Sequence, residues 1–228
     1  MTTQIATSVV GRRTVTCVAA MIAVAGLGAQ VAKPTVPPVE KVGDSQFRIG
    51  QVRIDTSRRE VSVSGTVNAG VKVLEFIANT RSKRRAYESA VTLDADAIAY
   101  NAALLLIGLD PSRARGVPTR HFDPTTPEGD LVDIWLDCPR GECQHLPVER
   151  LMYDQEKKEA LSGGTWVYTG SAFLPDGRYM ADDGGVIIGF VHDPSSIIEY
   201  TGTGALNRFG AIVPNPTLGL PQIGRAHV

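Results

Sequence analysis

One segment of the chain has the apolar spacing of a long helix, and this segment most constrains the fold. Around residues 94–108, apolar side chains recur at intervals of three and four residues, as in a helix packed on a core. These side chains are Ile98, Ala102, Leu105 and Leu109. Asp94 suits the start of this helix, Gly108 suits a left-handed conformation at its end, and Pro111 prevents its continuation. We therefore expect a helix that is buried on most of its sides.

Most of the remaining sequence consists of short apolar runs separated by turn residues, which is typical of strands. The predicted strands are residues 52–54, 61–65, 71–78, 86–93, 131–136, 166–173, 178–181 and 186–191. The last three predict a three-stranded meander, because clear turn residues separate them. Residues 147–161 predict a second helix with one apolar face. The fold class we expect is therefore α+β, mainly antiparallel β with one buried helix and one amphipathic helix.

The N-terminus has the pattern of a secretory signal peptide. Arg12 and Arg13 precede sixteen uncharged residues, 14–29, many of them small. This stretch is shorter than the roughly 20 residues that span a bilayer as a helix, so an uncleaved anchor is the less favoured alternative. We predict a signal peptide at 1–29, with cleavage after Ala29 and alternatives nearby. A linker at 30–45 and a single domain at 46–228 follow. The mature chain is then periplasmic or extracellular and has no transmembrane span.

The charge balance excludes some classes of protein. The 228 residues carry 23 basic and 24 acidic side chains, a net charge of −1, and 43% of them are hydrophobic. Loss of residues 1–29 removes two arginines and no acid, which leaves a mature chain with a net charge of −3. Wholesale disorder requires low hydrophobicity with a large net charge, and a nucleic-acid binder usually carries a basic field. We expect neither, and no cofactor is predicted.

Two cysteines remain after export. Cys138 and Cys143 enclose a short segment that contains Pro139 and Gly141. In an oxidising compartment this spacing favours a local disulfide. One alternative is metal binding, which the nearby His145 leaves open, although structural zinc sites generally use four protein ligands. The other is redox exchange, although redox pairs usually have two intervening residues.

Two glutamates stand out in otherwise apolar strands. Glu75 and Glu88 are separated by the basic run 81–85, which suggests neighbouring strands joined by an exposed hairpin tip. A pair of carboxylates on adjacent strands can perform acid–base catalysis. The alternative, which we favour, is that each forms a structural ion pair with Arg or Lys.

A second set of polar side chains surrounds the predicted strand 186–191. These candidate metal ligands are Asp182, Asp183, His192 and Asp193. Carboxylates and imidazole are ordinary ligands of divalent cations. We favour turn formation for Asp183 and Asp193, because glycine follows the first and proline the second, and because the sequence has no Ca²⁺ loop with alternating acids and a terminal Glu.

The segment 110–130 lacks apolar periodicity and is rich in proline. Loops of this length are uncommon in compact domains and often carry function. Arg113, Arg115, Arg120 and His121 make it a candidate anion-binding loop. We favour a mobile surface insertion.

Several spaced motifs resemble the YdjY-domain family of exported bacterial proteins. The motifs are VLE at 73–75, RAYES at 85–89, YNAALLLIGL at 100–109, WVYTGS at 166–171 and YMAD at 179–182. The similarity spans residues 52–221, and the family has no established activity. Tyr87 and Tyr100 stand where the resemblance leads us to expect histidines. If those histidines perform chemistry elsewhere in the family, this chain lacks it or performs it differently.

These observations favour an exported, noncatalytic binding or interaction module. Its partner would be an envelope protein or a glycan, and nucleic acid is not expected. The alternative is a hydrolase or metal-dependent enzyme that uses Glu75 and Glu88, or the region of Asp182. Ser171 does not support the hydrolase, because the sequence around it lacks the Gly-x-Ser-x-Gly pattern of a nucleophile elbow.

Overall fold

Strands account for most of the regular structure. A computed structural model describes residues 35–138, 145–161, 165–202, 210–218 and 225–227. The strands are β1 (Val39–Lys41), β2 (Gln46–Ile49), β3 (Val52–Asp55), β4 (Glu60–Ser62), β5 (Ser64–Val67), β6 (Phe76–Asn79), β7 (Ser89–Leu93), β8 (Asp130–Val132), β9 (Trp135–Leu136), β10 (Leu146–Pro147), β11 (Met152–Asp154), β12 (Glu159–Ala160), β13 (Trp166–Tyr168), β14 (Val186–Gly189), β15 (Ile198–Tyr200), β16 (Ile212–Pro214) and β17 (Arg225–His227). The helices are α1 (Ala97–Leu106) and α2 (Met180–Gly184), and 3₁₀ turns lie at Ala86–Glu88, Pro111–Arg113 and Val148–Leu151.

The largest sheet orders its strands β17-β5-β7-β6-β14-β15-β13-β8. Its neighbours pair antiparallel except for two parallel pairs, β6 with β7 and β14 with β15. Every residue of the five central strands is buried. Strands covered on both faces need continuous apolar runs, and Val186–Gly189 is such a run. The predicted α+β class, with mostly antiparallel sheets, is confirmed.

A smaller sheet of β1, β2, β3 and β4 is antiparallel throughout. The hairpin predicted after β3 is confirmed, and Arg59 occupies a left-handed position in its turn. Ile49, Val52 and Ile54 face the core. β1 begins at Val39, inside the segment that we predicted as a linker, and pairs with β2 along its whole length.

Helix α1 lies where the sequence predicts it, with a different start. The residue that precedes its first turn is Asp96, not Asp94, and the side chain of Asp96 makes no capping bond. At the other end Gly108 has φ +95°, the left-handed conformation that glycine adopts without strain. Six residues of α1 are buried, but Leu105 and Leu106 are 44% and 40% exposed. The apolar stripe is therefore only partly covered.

The prediction of a second helix at residues 147–161 is wrong. A 3₁₀ turn at Val148–Leu151 leads into the hairpin of β11 and β12. Strand pairing prevails because β11 also pairs with β16, and because the Asp154 carboxylate accepts the N–H groups of Glu156 and Lys157 to form the turn. Local hydrogen bonds from Asp compete with helix formation in this way.

The prediction of a three-stranded meander at residues 166–191 is also wrong. β13 ends at Tyr168, and the segment predicted as its middle strand contributes to α2. Gly185 ends α2 in a left-handed conformation, with φ +76°. β14 then pairs with β6 and β15, and β15 lies between β14 and β13. The helical turn directs the chain to the centre of the sheet.

The basic run 81–85 is not a hairpin tip, because β6 and β7 are parallel. Phe76 is the register partner of Ser89, so the chain must return to the start of β6 before β7 begins. The 3₁₀ turn Ala86–Glu88 is part of this return. Arg81 forms an ion pair with Asp96 at the start of α1.

Two predictions concern residues beyond those described. The predicted signal peptide and the start of the linker fall on residues 1–34, and Cys143 falls within 139–144, so these lie outside the described residues. Cys138 is described and is buried. Among the described residues, no helix combines the length and the apolar character that a membrane crossing requires.

Candidate functional site

His121, from the loop that follows α1, joins two of the predicted site residues. Its Nε2 atom lies 3.1 Å from a carboxylate oxygen of Glu75, and its Nδ1 atom lies 2.8 Å from a carboxylate oxygen of Asp193. The side chains of Glu75 and Asp193 are 7% and 6% exposed, whereas that of His121 is 37% exposed. The imidazole thus bridges two buried carboxylates. We call these three side chains the His121 cluster.

Backbone pairing fixes the two carboxylates of the His121 cluster. Glu75 directly precedes β6; its N–H donates to the Glu88 carbonyl at 2.9 Å, and its own carbonyl accepts the N–H of Val191 at 2.8 Å. Asp193 lies beyond β14 and accepts the N–H of Ser195 at 2.8 Å. These contacts place both side chains at the same end of the central strands.

The charges of the His121 cluster stabilise one another. Hydrogen bonds to Asp193 and Glu75 raise the pKa of His121 to about 9, against an ordinary value of 6.5. Burial by itself raises the pKa of Asp193, but hydrogen bonds from His121 and Ser195 outweigh it and lower that pKa below its ordinary value. At neutral pH the cluster therefore contains an imidazolium between carboxylates.

This arrangement suits a clamp better than a general base. A catalytic histidine needs one ring nitrogen free to exchange a proton with substrate. In His121 both nitrogens already bond to carboxylates, and the raised pKa keeps the ring protonated. The cluster instead fastens the loop to the sheet.

The loop 110–130 makes many internal contacts, and its expected mobility stays a prediction. The Asp123 carboxylate accepts N–H groups from Thr119 and Thr125, and these bonds hold the pKa of Asp123 well below its usual range. Arg113 pairs with Asp130 at 2.9 Å. The candidate anion-binding arginine Arg115 donates to backbone carbonyls.

The predicted carboxylate pair is brought together only through its backbone. Glu75 and Glu88 lie side by side, as the sequence suggests, but their side chains have different partners. Glu88 forms an ion pair with Arg85 at 2.7 Å, while Glu75 contacts His121. The structural ion pair that we favoured is therefore present for Glu88, within one turn and not across strands.

The predicted metal ligands also have separate partners. Asp182 accepts the N–H groups of Ala97 and Ile98, at 2.6 and 3.1 Å, and so caps α1 from α2. Burial raises the pKa of Asp182, and these two bonds oppose the increase. Asp183 forms an ion pair with Arg178.

Replacing Asp182 by alanine is expected to lower the free energy of unfolding by about 1–2 kcal/mol, because two N–H groups at the start of α1 lose their acceptor. Urea denaturation measures this loss. Asp183→Ala is the matched control and should change stability by less than about 0.5 kcal/mol, since its ion pair is at the surface. Equal effects of the two substitutions would contradict the capping role.

His192 is buried between backbone groups. Its ring nitrogens lie 2.9 and 2.8 Å from the carbonyl oxygens of Asp123 and Tyr200. It therefore joins the loop to β15. Within the ranges that the structure describes, no group of three or more His, Cys, Asp and Glu side chains is arranged to hold a metal ion.

Sequence reasoning missed Glu199, a fully buried carboxyl group on β15. Its Oε1 atom accepts the N–H of Asp193 at 3.2 Å. Its Oε2 atom and the Ser196 hydroxyl have no hydrogen-bond partner among the described residues. Burial raises the pKa of Glu199 well above its ordinary value, which favours the neutral acid. The available signal was a single acid inside the apolar run Ile197, Ile198 and Tyr200.

A separate cleft of about 440 Å³ lies between the β3–β4 hairpin, α1 and the segment around β9. Its walls carry charged residues of both signs, aliphatic residues, Tyr100 and Trp135. Pockets for small molecules usually have volumes of 300–1,000 Å³ and combine apolar walls with a few polar groups. We call this the α1 cleft. No sequence pattern predicts the cleft, because its walls come from three distant segments.

A family model, that of the YdjY domain, matches residues 52–204. Comparison with curated proteins and with solved structures found no match. The matched range starts at residue 52, as the sequence motifs predict, and ends at residue 204, before Pro221, where the similarity was expected to end. It contains both the His121 cluster and the α1 cleft, and it covers more than half of the 228 residues. The chain therefore belongs to the YdjY-domain family.

Proposed function

We propose that this protein is an exported, noncatalytic binding module whose ligand occupies the α1 cleft. The observation that carries the proposal is the cleft itself, which opens to solvent between the β3–β4 hairpin, α1 and the segment around β9 and is lined by two aromatic side chains and by charged groups. Sites built on helices and strands hold their side chains in place, which limits the entropy lost on binding.

The noncatalytic part of the proposal is supported by the contacts of the candidate catalytic residues. Glu75 and Asp193 bond to His121, Glu88 bonds to Arg85, and Asp182 caps α1. Each carboxylate thus has a structural partner. None of these six residues lines the α1 cleft.

Export is supported by the N-terminal sequence, with its paired arginines and uncharged stretch before Ala29. A periplasmic or extracellular location would place the α1 cleft among envelope components. The partners proposed from the sequence, a glycan or an envelope protein, are accessible there.

The disulfide is a separate prediction. In protein collected after export, Cys138 and Cys143 are expected to be joined, since the compartment is oxidising and the ring is small. Loop-closure entropy gives a stabilisation of about 2 kcal/mol. Alkylation of the denatured protein without reduction, followed by mass spectrometry, should add no label to either cysteine. Two labelled thiols would contradict the prediction.

Hydrogen–deuterium exchange tests the binding function. The protein is incubated with the small soluble components of a bacterial envelope fraction, and protection is compared with that of the untreated protein. The proposal predicts slower exchange in residues 58–62 and 133–137, the walls of the α1 cleft. Protection confined to residues 119–125 and 192–199 would contradict it and would favour a site at the His121 cluster.

The alternative function is a hydrolase, and one observation favours it. His121 is partly exposed and contacts the buried Asp193, as in enzymes where a carboxylate orients a catalytic imidazole. In that case Glu75→Gln would weaken the bond to Nε2 and increase hydrolysis of an ester probe such as p-nitrophenyl acetate. The binding module predicts no hydrolysis by either protein and a lower stability for Glu75→Gln.

A further inference from the structure

The strand segment around β9 presents an alternating pattern to the α1 cleft. Ile134, Leu136 and Cys138 are buried, and the residues between them are more exposed. Those residues, Asp133, Trp135 and Asp137, all line the cleft. Ile134 lines the cleft as well, so this wall presents an indole together with two carboxylates and an aliphatic side chain.

The indole is held in place by packing. The ring of His145 lies against Trp135, with 4.5 Å between the ring centroids. The backbone of His145 is fixed in turn, since its N–H donates to a carboxylate oxygen of Asp137 at 2.6 Å. A fixed aromatic ring loses little conformational freedom when a ligand packs on it.

The opposite wall supplies cationic groups. Arg58 forms an ion pair with Glu60 at 2.9 Å, and the Nε atom of Arg59 donates to the carbonyl of Ile107 at 3.0 Å. Both guanidinium groups retain further N–H donors, because arginine carries five. Asp133, by contrast, is exposed and has no ion pair or hydrogen bond among the described residues.

The charges in the cleft nearly balance, with one more acid than arginines, so the cleft disfavours an anion and attracts a cation only weakly. Its lining carries two arginines and three acids, and one arginine already pairs with one acid. An anion would meet Asp133 and Asp137, and a cation would meet Arg59. An uncharged ligand that both donates and accepts hydrogen bonds can use groups of both signs, as hydroxyl groups do.

We propose that the α1 cleft binds an uncharged saccharide, with Trp135 packed against the apolar face of a sugar ring. Asp133 and Asp137 accept hydrogen bonds from its hydroxyl groups, and Arg58 donates to its oxygen atoms. The volume of about 440 Å³ lies within the range of small-ligand sites. This inference rests on the proposed binding function and specifies its ligand class.

Calorimetric titration with neutral oligosaccharides tests the inference. The probes are maltotriose, cellotriose and N,N′,N″-triacetylchitotriose, which differ in linkage and substituents, and trilysine serves as a cationic probe. At least one saccharide should bind the wild-type protein with a dissociation constant in the millimolar range or below. Trp135→Ala and Asp133→Asn should each weaken that binding at least about tenfold, as expected for a central contact.

Phe173→Ala is the matched control, because Phe173 is an exposed aromatic residue outside the cleft. It should leave saccharide binding unchanged. Asp133→Asn changes an exposed side chain, so its folding is expected to be intact and circular dichroism checks this. Equal loss of binding in Phe173→Ala and Trp135→Ala would overturn the assignment to the cleft.

Two further outcomes would overturn the saccharide assignment. Binding of trilysine that depends on Asp133, without saccharide binding, would leave the binding module standing with a cationic ligand. Absence of saccharide binding up to solubility would reject the ligand class, while the exchange experiment above decides separately whether the cleft binds anything. In the exchange experiment, the proposed function fails if protection maps away from the cleft.

Discussion

Replacing His121 by alanine is expected to lower the free energy of unfolding by about 2–4 kcal/mol at neutral pH. The substitution leaves two buried carboxylates, Glu75 and Asp193, without their partner. Removing one member of a fully buried ion pair typically costs about 3–5 kcal/mol. The expected value is smaller because His121 is partly exposed, and water can partly replace its ring.

The loss should depend on pH in a defined direction. The pKa of His121 is raised to about 9 by its bonds to Asp193 and Glu75, against an ordinary value of 6.5. Its contribution is therefore fully present below pH 6.5 and disappears as the pH rises through about 9. The difference between wild-type protein and His121→Ala should shrink over that interval.

Chemical denaturation at several pH values measures this difference. Arg120→Ala provides the control, because Arg120 is the exposed neighbour of His121 in the same loop. Its effect should stay within about 0.5 kcal/mol at every pH. A pH-independent effect of His121→Ala would show that the ring acts by packing alone.

Replacing Glu199 by glutamine is expected to stabilise the protein increasingly as the pH rises. Burial raises the pKa of Glu199 well above its ordinary value of 4.5. A raised folded-state pKa means that wild-type stability is greatest below pH 4.5 and falls as the pH rises through the folded value. Between the unfolded-state and the folded-state pKa, the free energy of unfolding falls by about 1.4 kcal/mol for each pH unit. Glutamine does not titrate, so the variant does not lose this stability as the pH rises.

The glutamine can keep the one hydrogen bond that is described for Glu199, because its amide oxygen can accept the N–H of Asp193. Thermal or urea denaturation from mildly acidic to neutral pH gives the difference curve. The exposed acid Glu128 supplies the control, and Glu128→Gln should change stability by no more than about 0.5 kcal/mol, as is usual for a surface substitution. A flat difference curve for Glu199→Gln would mean that Glu199 is ionised and paired in solution.

The sequence predicts helices and strands best where one pattern dominates. Helix α1 was predictable because apolar spacing, Gly108 and Pro111 all agree. Residues 147–161 have comparable apolar spacing, but the outcome depends on pairing between β11 and β16, which are about 60 residues apart in sequence. A helical pattern cannot report such a partner. The same limit applies to β6 and β7, which pair in parallel and do not form the antiparallel hairpin that the sequence predicted.

The candidate site was likewise predictable only in part. The adjacency of Glu75 and Glu88 follows from neighbouring strands, and the sequence indicated it. Their side-chain partners do not follow, because His121 reaches Glu75 from a loop 46 residues away. His121 itself was noted only for its basic neighbours. The α1 cleft was beyond sequence reasoning, since it needs the spatial arrangement of three segments.

The central claim is that the α1 cleft binds a ligand while the His121 cluster is structural. Native mass spectrometry with elemental analysis of the exported protein tests this claim most directly. Wild-type protein, Trp135→Ala and Glu75→Gln are compared after gentle purification from the envelope. We expect an organic ligand on the wild-type protein and on Glu75→Gln, and its loss from Trp135→Ala. A stoichiometric metal that is lost from Glu75→Gln and retained in Trp135→Ala would contradict the claim and establish the cluster as the active centre.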